Sequence, residues 1–406
     1  MYYRLSILKR YLEDLLMLPF ILIGRILARV RPLPQSYDIF FFFPFYHIGG
    51  AEKVHYQIAQ ATGNKQCIIF FTRKSQNTLF REAFEKTGCT IRDISRYTDN
   101  KFLYVVNIIF RGIISGYINR QQEIPLVFNG QCNFAYKLSR WVKREVAQIE
   151  LIHSYCSFSF IRVPFLPFYR ATVMISKVRI EDHLLQYERW GIPGHYAGRI
   201  HYIPNCIPLP AQAPDTAKYH TAKPEVLYVG RATAEKRVHL IAQMAEQAAQ
   251  QGLPFTFGFL GEVTDAIPAH LRPYCHLYGN QSEAGVISDI YKRAVILALV
   301  SDTEGFPMVV MEGMAHGLAM LVTPVGDIPL HVKDGENGFL LEPVNDEAAI
   351  VKAGVTHLAA WAAQRDWLQA TGLLNRQYAL DHFGLAQFDA AYRQLFTQVR
   401  ADKHGW

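Results

Sequence analysis

The chain has 406 residues, half of them hydrophobic and 13% aromatic, which is too long for one comfortable core and too apolar for a disordered polymer. Its net charge of +7 is uneven: residues 1–205 hold 27 lysines and arginines against 14 acids, a net +13, and residues 206–406 hold 15 against 21, a net −6. The six cysteines (Cys67, Cys89, Cys132, Cys156, Cys206, Cys275) form no C-x-x-C pair and have no histidine cluster nearby, which argues against a disulfide framework or a zinc site and for a reducing cytosol.

Residues 1–36 form a basic and apolar segment. The run LLMLPFILIG (15–24) is too short for a spanning helix, which needs about 20 residues. Arg25, Arg29 and Arg31 follow it where a signal peptide would need a small-residue cleavage site. An apolar patch flanked by basic residues fits a helix lying at an anionic membrane interface, the alternative being a helix packed on the protein's own surface. The expected location is therefore cytoplasmic and peripheral, on the inner face of the cell membrane.

From Tyr37 the chain alternates short apolar strands with helical stretches, the mark of parallel β-α-β structure. YDIFFFFPF (37–45) predicts a buried strand, followed by a YHIGG turn and a helix with Val54, Ile58 and Ala61 on one side. QCIIFF (66–71), PLVFN (125–129), QIELIH (148–153) and ATVMIS (171–176) predict further buried strands. FLYVVNIIFRGIISGYI (102–118) reads as a helix covering the sheet, with a second membrane-contacting helix as the alternative, and RVPFLPFYR (162–170) as a loop, at the lipid surface or between strands. This first domain is expected over 37–205.

Proline, alanine and polar residues over 206–224 predict a linker. Alternation restarts over 225–385 with EVLYVG, PFTFGFLG, VILALV, AMLVTP and GFLLEP as strands, and 386–406 ends the chain as a helix. Two strand-to-helix junctions in this half carry unusual side chains. In VGRATAEKR, Arg231 follows a strand and Lys236 comes shortly after. In VSDTEGFPMVVMEG, Gly305 allows close backbone approach, Pro307 suits a first helical position, and Glu304 and Glu312 flank the turn. Free amides after Gly305 would favour an anion, which Arg231 and Lys236 would meet from the other side. Glu312, about 1.5 turns into the helix, would reach polyol hydroxyls beside a diphosphate. Singly, each residue reads as a surface or capping charge; together at successive strand ends they read as a binding site.

The segment EGFPMVVMEGMAHGLAMLVTPVGDIPLHVKDGENGFLL (304–341) resembles the nucleotide-sugar region of glycosyltransferase family 4, the retaining GT-B enzymes with an E-x7-E motif. VGRATAEKR is similar to that family's G-R-x-x-x-E-K segment, HIGGAEKV (47–54) to its N-terminal glycine loop, and YIPNCI (202–207) to its P-N-G-V element. The resemblance implies an α/β GT-B fold, two Rossmann-like domains whose parallel sheets face each other across a cleft. It implies that Arg231 and Lys236 neutralise the donor diphosphate, that Glu312 holds the ribose and that Glu304 contacts the transferred sugar. Amides near Gly305, Phe306 and Pro307 would carry phosphate, Gly49 and Gly50 would form the opposing loop, and His153 would stand near donor sugar and acceptor. Two departures stand out: Cys206 replaces a usual glycine, and Arg237 follows Lys236 where glycine is common.

The implied reaction is glycosyl transfer from a nucleoside diphosphate sugar to a glycan or lipid-linked glycan, in cell-surface polysaccharide or lipopolysaccharide biosynthesis, with retention at C1 and no metal or other cofactor. Asp302 and Glu304 superficially offer a metal-binding acidic pair, but Glu312 and the Gly-Phe-Pro turn have no role in that scheme. An NAD-binding enzyme would need G-x-G-x-x-G after a strand, which HIGGAE does not supply. No nucleic-acid-binding motif accompanies the basic half, so no nucleic acid partner is expected. The alternative reading is a non-catalytic nucleotide-sugar binder or membrane scaffold.

Overall fold

The computed structural model describes residues 2–47, 49–63, 65–78 and 80–401. Met1 of the expected N-terminal segment, Ile48 of the HIGGAEKV motif and residues 402–406 of the expected C-terminal helix lie outside the described residues. The chain forms two compact units, one from residues 1–204 with 388–406, the other from residues 205–387.

The first unit is built on a parallel sheet of β1 (Ile39–Phe43), β2 (Cys67–Phe71), β3 (Thr90–Asp93), β4 (Leu126–Asn129), β5 (Ala147–Ile152), β6 (Ala171–Met174) and β7 (Ile200–Tyr202), in the order β3-β2-β1-β4-β5-β6-β7. Helices cover both faces, so β1 is a continuous run, IFFFF, with every residue buried, rather than an alternation. Phe40 and Phe42 stack on Phe70 on one face. Phe41 and Phe43 meet Phe128 on the other, and Phe128 in turn packs against Tyr392 and Phe396 of the helix Leu385–Ala401. That last helix is pinned by Arg393, which donates to the Ala61 carbonyl at 2.8 Å, and by Arg400, which donates to that of Asp38 at 2.6 Å.

Residues 2–30 form one continuous helix, Tyr2–Val30, through Pro19. It lies against the helix Tyr104–Ile118 at a contact with no room for side chains: a Cβ on Gly24 would stand 2.2 Å from the Ile109 carbonyl oxygen, and one on Gly112 2.3 Å from that of Ile21. By length and composition Lys101–Ile118 could cross a membrane. Its Ile114 and Ile118 instead pack into the sheet's core.

Residues 162–170, expected as a loop at the lipid surface or between strands, are partly interior. Val163–Phe168 form a 3-10 turn, and Arg162 is buried, bonded to Glu150, Tyr187 and Thr172. Glu150 sits inside β5, so its charge must be matched there; no sequence pattern reveals which arginine does it.

The second unit carries β8 (Glu225–Val229), β9 (Thr256–Leu260), β10 (His276–Gly279), β11 (Ala294–Leu299), β12 (Ala319–Val322) and β13 (Gly338–Leu340), again parallel, in the order β10-β9-β8-β11-β12-β13. The proline-rich stretch before β8 is clad onto this unit: Cys206, Ile207 and Tyr219 are buried, and Ile207 N–H donates to the Phe383 carbonyl at 3.0 Å. Lys218 donates to the His316 carbonyl at 2.8 Å, and burial pulls its amine down to about 7. Composition reported the prolines; the burial comes from apolar residues interspersed among them.

Candidate functional site

In a parallel sheet the ligand site lies outside the carboxyl ends of the strands, where the strand order reverses. In the second unit the order reverses between β8 and β11. The loops leaving those two strands are the VGRATAEKR and VSDTEGFP segments, so two motifs far apart in sequence become neighbours.

They are joined directly. Asp302 N–H donates to the Glu235 carbonyl at 2.9 Å, and Lys236 Nζ stands 2.5 Å from Glu304 Oε1, both side chains largely screened from water. Arg231 is exposed at the tip of the β8 strand, its carbonyl accepting the Tyr228 hydroxyl at 2.9 Å. Burial raises the Tyr228 hydroxyl's pKa, and the charges of Glu304 and Glu235 add to the effect, so this phenol stays protonated beneath the loop.

The turn at Gly305 is backed by the segment around Gly326. Asp327 N–H donates to the Gly305 carbonyl at 2.8 Å. Gly326 has φ +59°, and a Cβ there would lie 2.1 Å from the Gly305 oxygen. Phe306 turns inward, stacked on His331 with ring centroids 4.1 Å apart and in contact with Phe383, so only its backbone can face a ligand.

Pro307 is not the first helical residue: its ψ of 130° makes it the N-cap, and the helix is Met308–Ala315. A cap residue keeps extended geometry, and the Phe-Pro bond biases the preceding residue the same way. Glu312 therefore lies little more than one turn into the helix, nearer its start than the 1.5 turns expected. The amides of Met308 and Val309, in the first turn, have no intrahelical carbonyl within reach. Glu312 Oε2 accepts the Tyr291 hydroxyl at 3.0 Å, from the helix Ala284–Arg293. Tyr291 is fully buried and its pKa is raised well above the usual phenol range by burial and by Glu312, so it acts as a fixed donor that orients the carboxylate.

Arg237 explains one departure from the family pattern. Its φ of 46° is the left-handed conformation that glycine tolerates and other residues adopt at a cost of about 1 kcal/mol. Its guanidinium offsets that by donating to the Val300 carbonyl at 2.8 Å and the Val344 carbonyl at 2.7 Å. The side chain thus ties the end of β11 to the Lys236 loop.

In the first unit the order reverses between β1 and β4. Gly49 is the N-cap of the helix Gly50–Ala61, and Gly50 its first residue. Glu52, in the first turn, is buried and pairs with His47 at 3.8 Å. His153 follows β5 and its Nε2 lies 3.0 Å from Nε2 of His55, which is buried and stacked on Phe43. Burial lowers both imidazoles, His153 to about 4 and His55 well below its usual value, so both are neutral near pH 7 and share one proton in the contact. The His153 backbone N–H donates to Gln131 Oε1 at 3.1 Å, and Gln131 itself has φ +59°.

His55, Gln131, Tyr291 and Arg237 are absent from the sequence-derived site. Asn129-Gly130 before Gln131 is a turn signal that marks the bend; nothing in AEKVHYQ singles out His55. Among the described residues no group of three or more His, Cys, Asp or Glu could hold a metal ion.

The family described as Glycosyl transferases group 1 matches residues 223–359, which include both loops of the second-unit site. The alpha-maltose-1-phosphate synthase of Mycolicibacterium smegmatis is 26% identical over 189 residues, 44% of this chain and 49% of the relative. The putative colanic acid biosynthesis glycosyltransferase WcaL of Escherichia coli is 25% identical over 161 residues, 36% of this chain and 37% of the relative. The chain thus spans about half, or less, of the length of these curated relatives. Among solved structures, HepE of Anabaena in complex with UDP and glucose superposes with a TM-score of 0.70 at 14% identity, covering 89% of this chain and 99% of the other. The motif-bearing region is similar to the group 1 glycosyltransferases, and the backbone of both units has the GT-B fold.

Proposed function

We propose that the protein transfers a sugar from a nucleoside diphosphate sugar to a hydroxyl of a glycan or lipid-linked glycan, with retention at C1 and without a metal ion, in the assembly of a cell-surface polysaccharide or lipopolysaccharide at the cytoplasmic face of the membrane. The observation that carries this reading is the pairing of Lys236 with Glu304 at the β8/β11 reversal, with Glu312 on the helix that follows the same loop.

In this scheme the donor's diphosphate lies against the Gly305 turn and the amides of Met308 and Val309, and Arg231 and Lys236 supply the positive charge. The bond from C1 to the diphosphate oxygen breaks as the acceptor oxygen bonds to C1 from the same face; the acceptor's proton passes to the departing phosphate oxygen. Charge grows on that phosphate, and fixed cations and peptide dipoles stabilise it without reorganising. Glu312, oriented by Tyr291, accepts the ribose hydroxyls. Glu304 accepts from the transferred sugar once Lys236 turns to phosphate. His153 and His55, both uncharged, stand as hydrogen-bonding groups for sugar or acceptor. The UDP and glucose bound to HepE support a UDP-sugar as the first donor to try.

The test is a binding and turnover screen across UDP- and GDP-sugars, with Glu312→Ala as control. Nucleotide binding with turnover, both reduced in the variant, is the expected result. Tight binding with neither hydrolysis nor transfer would favour a non-catalytic binder.

A further inference from the structure

We propose that the first unit docks on an anionic lipid bilayer, with the helix Tyr2–Val30 in the membrane plane and an adjoining arginine-lined groove taking lipid phosphate. A helix on a water-facing surface turns its apolar stripe inward and its charges outward. Tyr2–Val30 instead buries charge beside Ile21 and Ala28 and leaves a stripe of large apolar side chains exposed. Its protein-facing side carries Arg10 and Asp14, which pair at 3.6 Å, with Arg140 also 3.5 Å from Asp14, and Arg25, which donates to the Trp141 carbonyl at 2.9 Å. Its outer side carries Leu12, Leu15, Leu16, Leu22, Ile23 and Ile26, between 46% and 75% exposed. Their spacing follows the helical repeat, giving one apolar stripe about 20 Å long. Charge flanks this stripe at Arg4, at Lys9 with the half-exposed Glu13 3.8 Å away, and at Arg29 and Arg31.

The neighbouring helix extends this surface. Gly24 meets Gly112 and Ala28 meets Gly116, so the two helices run parallel and the start of Tyr104–Ile118 is level with Leu15 and Leu16. There Phe102 is 99% exposed, and Tyr104 and Val105 are also exposed.

Along one flank of the helix's first half runs a groove of about 1130 Å³. Arg4, Arg10, Arg140, Arg144, Arg170 and Arg199 line it, with Glu145 as the acid among its lining residues; Asp14 offsets part of Arg10 and Arg140. An apolar stripe beside a cationic groove is complementary to acyl chains beneath anionic head groups. The net +13 of residues 1–205 has the same sense. A second copy of the chain on this face would bring like-charged grooves together, which opposes association. The inference uses no residue of the donor site and stands apart from the glycosyl-transfer reading.

The experiment is co-sedimentation of the full chain with vesicles of phosphatidylcholine alone or mixed with phosphatidylglycerol. The wild-type chain is expected to pellet with the mixed vesicles, less so as salt rises. Leu15→Glu/Leu16→Glu is expected to lose at least about tenfold in binding. Arg4→Gln/Arg144→Gln is expected to lose about fivefold per arginine on mixed vesicles alone. Melting curves and nucleotide binding should match the wild type for both variants, separating lost docking from lost folding or lost donor binding. Absence of wild-type pelleting, or equal pelleting of all three proteins, would overturn the proposal. So would light scattering that shows a dimer split by Leu15→Glu/Leu16→Glu, which would assign the face to a second copy.

Discussion

Lys236 Nζ lies 2.5 Å from Glu304 Oε1, tying together the two loops that flank the strand reversal of the second unit. The pair holds each charge in place while it is shielded from water, and a diphosphate would compete with Glu304 for the ammonium. The two residues are therefore expected to fail differently. Glu304→Gln should slow transfer by about 100-fold with nucleotide affinity changed by less than about threefold, because in the proposed reaction its partner is the sugar. Lys236→Met should weaken nucleotide binding at least about tenfold and lower the melting temperature, since it strands the Glu304 carboxylate. Steady-state kinetics beside calorimetric titration of the nucleotide reads both.

Glu312→Ala is expected to weaken nucleotide binding about 10- to 100-fold, the worth of charge-assisted hydrogen bonds to a diol. Tyr291→Phe keeps the carboxylate and removes its orienting donor, so a loss of about two- to fivefold is expected in the same titration. Equal effects from the two variants would contradict the orienting role.

Gly326→Ala should cost about 1–3 kcal/mol and reduce nucleotide affinity, because φ is +59° and the added Cβ would press on the Gly305 carbonyl. Gly335→Ala is the control. Its φ is +74° but nothing lies near the new Cβ, so it should lose stability to backbone strain alone, with nucleotide binding unchanged.

Gly112→Val should destabilise the first unit by about 1–3 kcal/mol, measured by thermal unfolding, since a Cβ there meets Ile21 and Gly24 backbone at under 3 Å. Leu16→Ala, on the outer stripe, should leave the melting temperature nearly unchanged.

Acid should weaken the first unit. Burial holds His153 at about 4, holds His183 at about 4 and pulls His55 well below its usual value, so the unfolded chain binds more protons than the native one between about pH 6.5 and about pH 4. Stability is then full above about pH 6.5 and falls as pH drops towards 4. His183→Gln, which keeps a hydrogen-bonding side chain, should flatten that slope in a series of melts across this window.

Much of the second unit is legible in the primary structure because its signals are local. Apolar runs of four to six residues, bounded by glycine, proline or polar residues, mark β8, β11 and β12, and the Gly-Phe-Pro turn with Glu312 marks the helix beyond it. β10, HLYG, escapes because it lies on the sheet edge and is short and half-polar. The helix Glu347–Ala363 escapes because its apolar residues surround it rather than forming one stripe. Pro307 shows how far a local rule reaches: proline marks the helix boundary correctly to within one residue, and the cap geometry decides the rest.

The sequence by itself determined the alternation of strands and helices, the two motif loops and the apolar patch near the N-terminus. These depend on residues within a few positions of one another. Only the tertiary structure decided that Tyr291 serves Glu312, that His55 faces His153 and that Arg237 fills a glycine's place. It also decided that the N-terminal helix turns Arg10, Asp14 and Arg25 inward. Most of these contacts join different elements of the fold, set by strand order and by the need to satisfy buried polar groups, and no local pattern encodes which partner will be there.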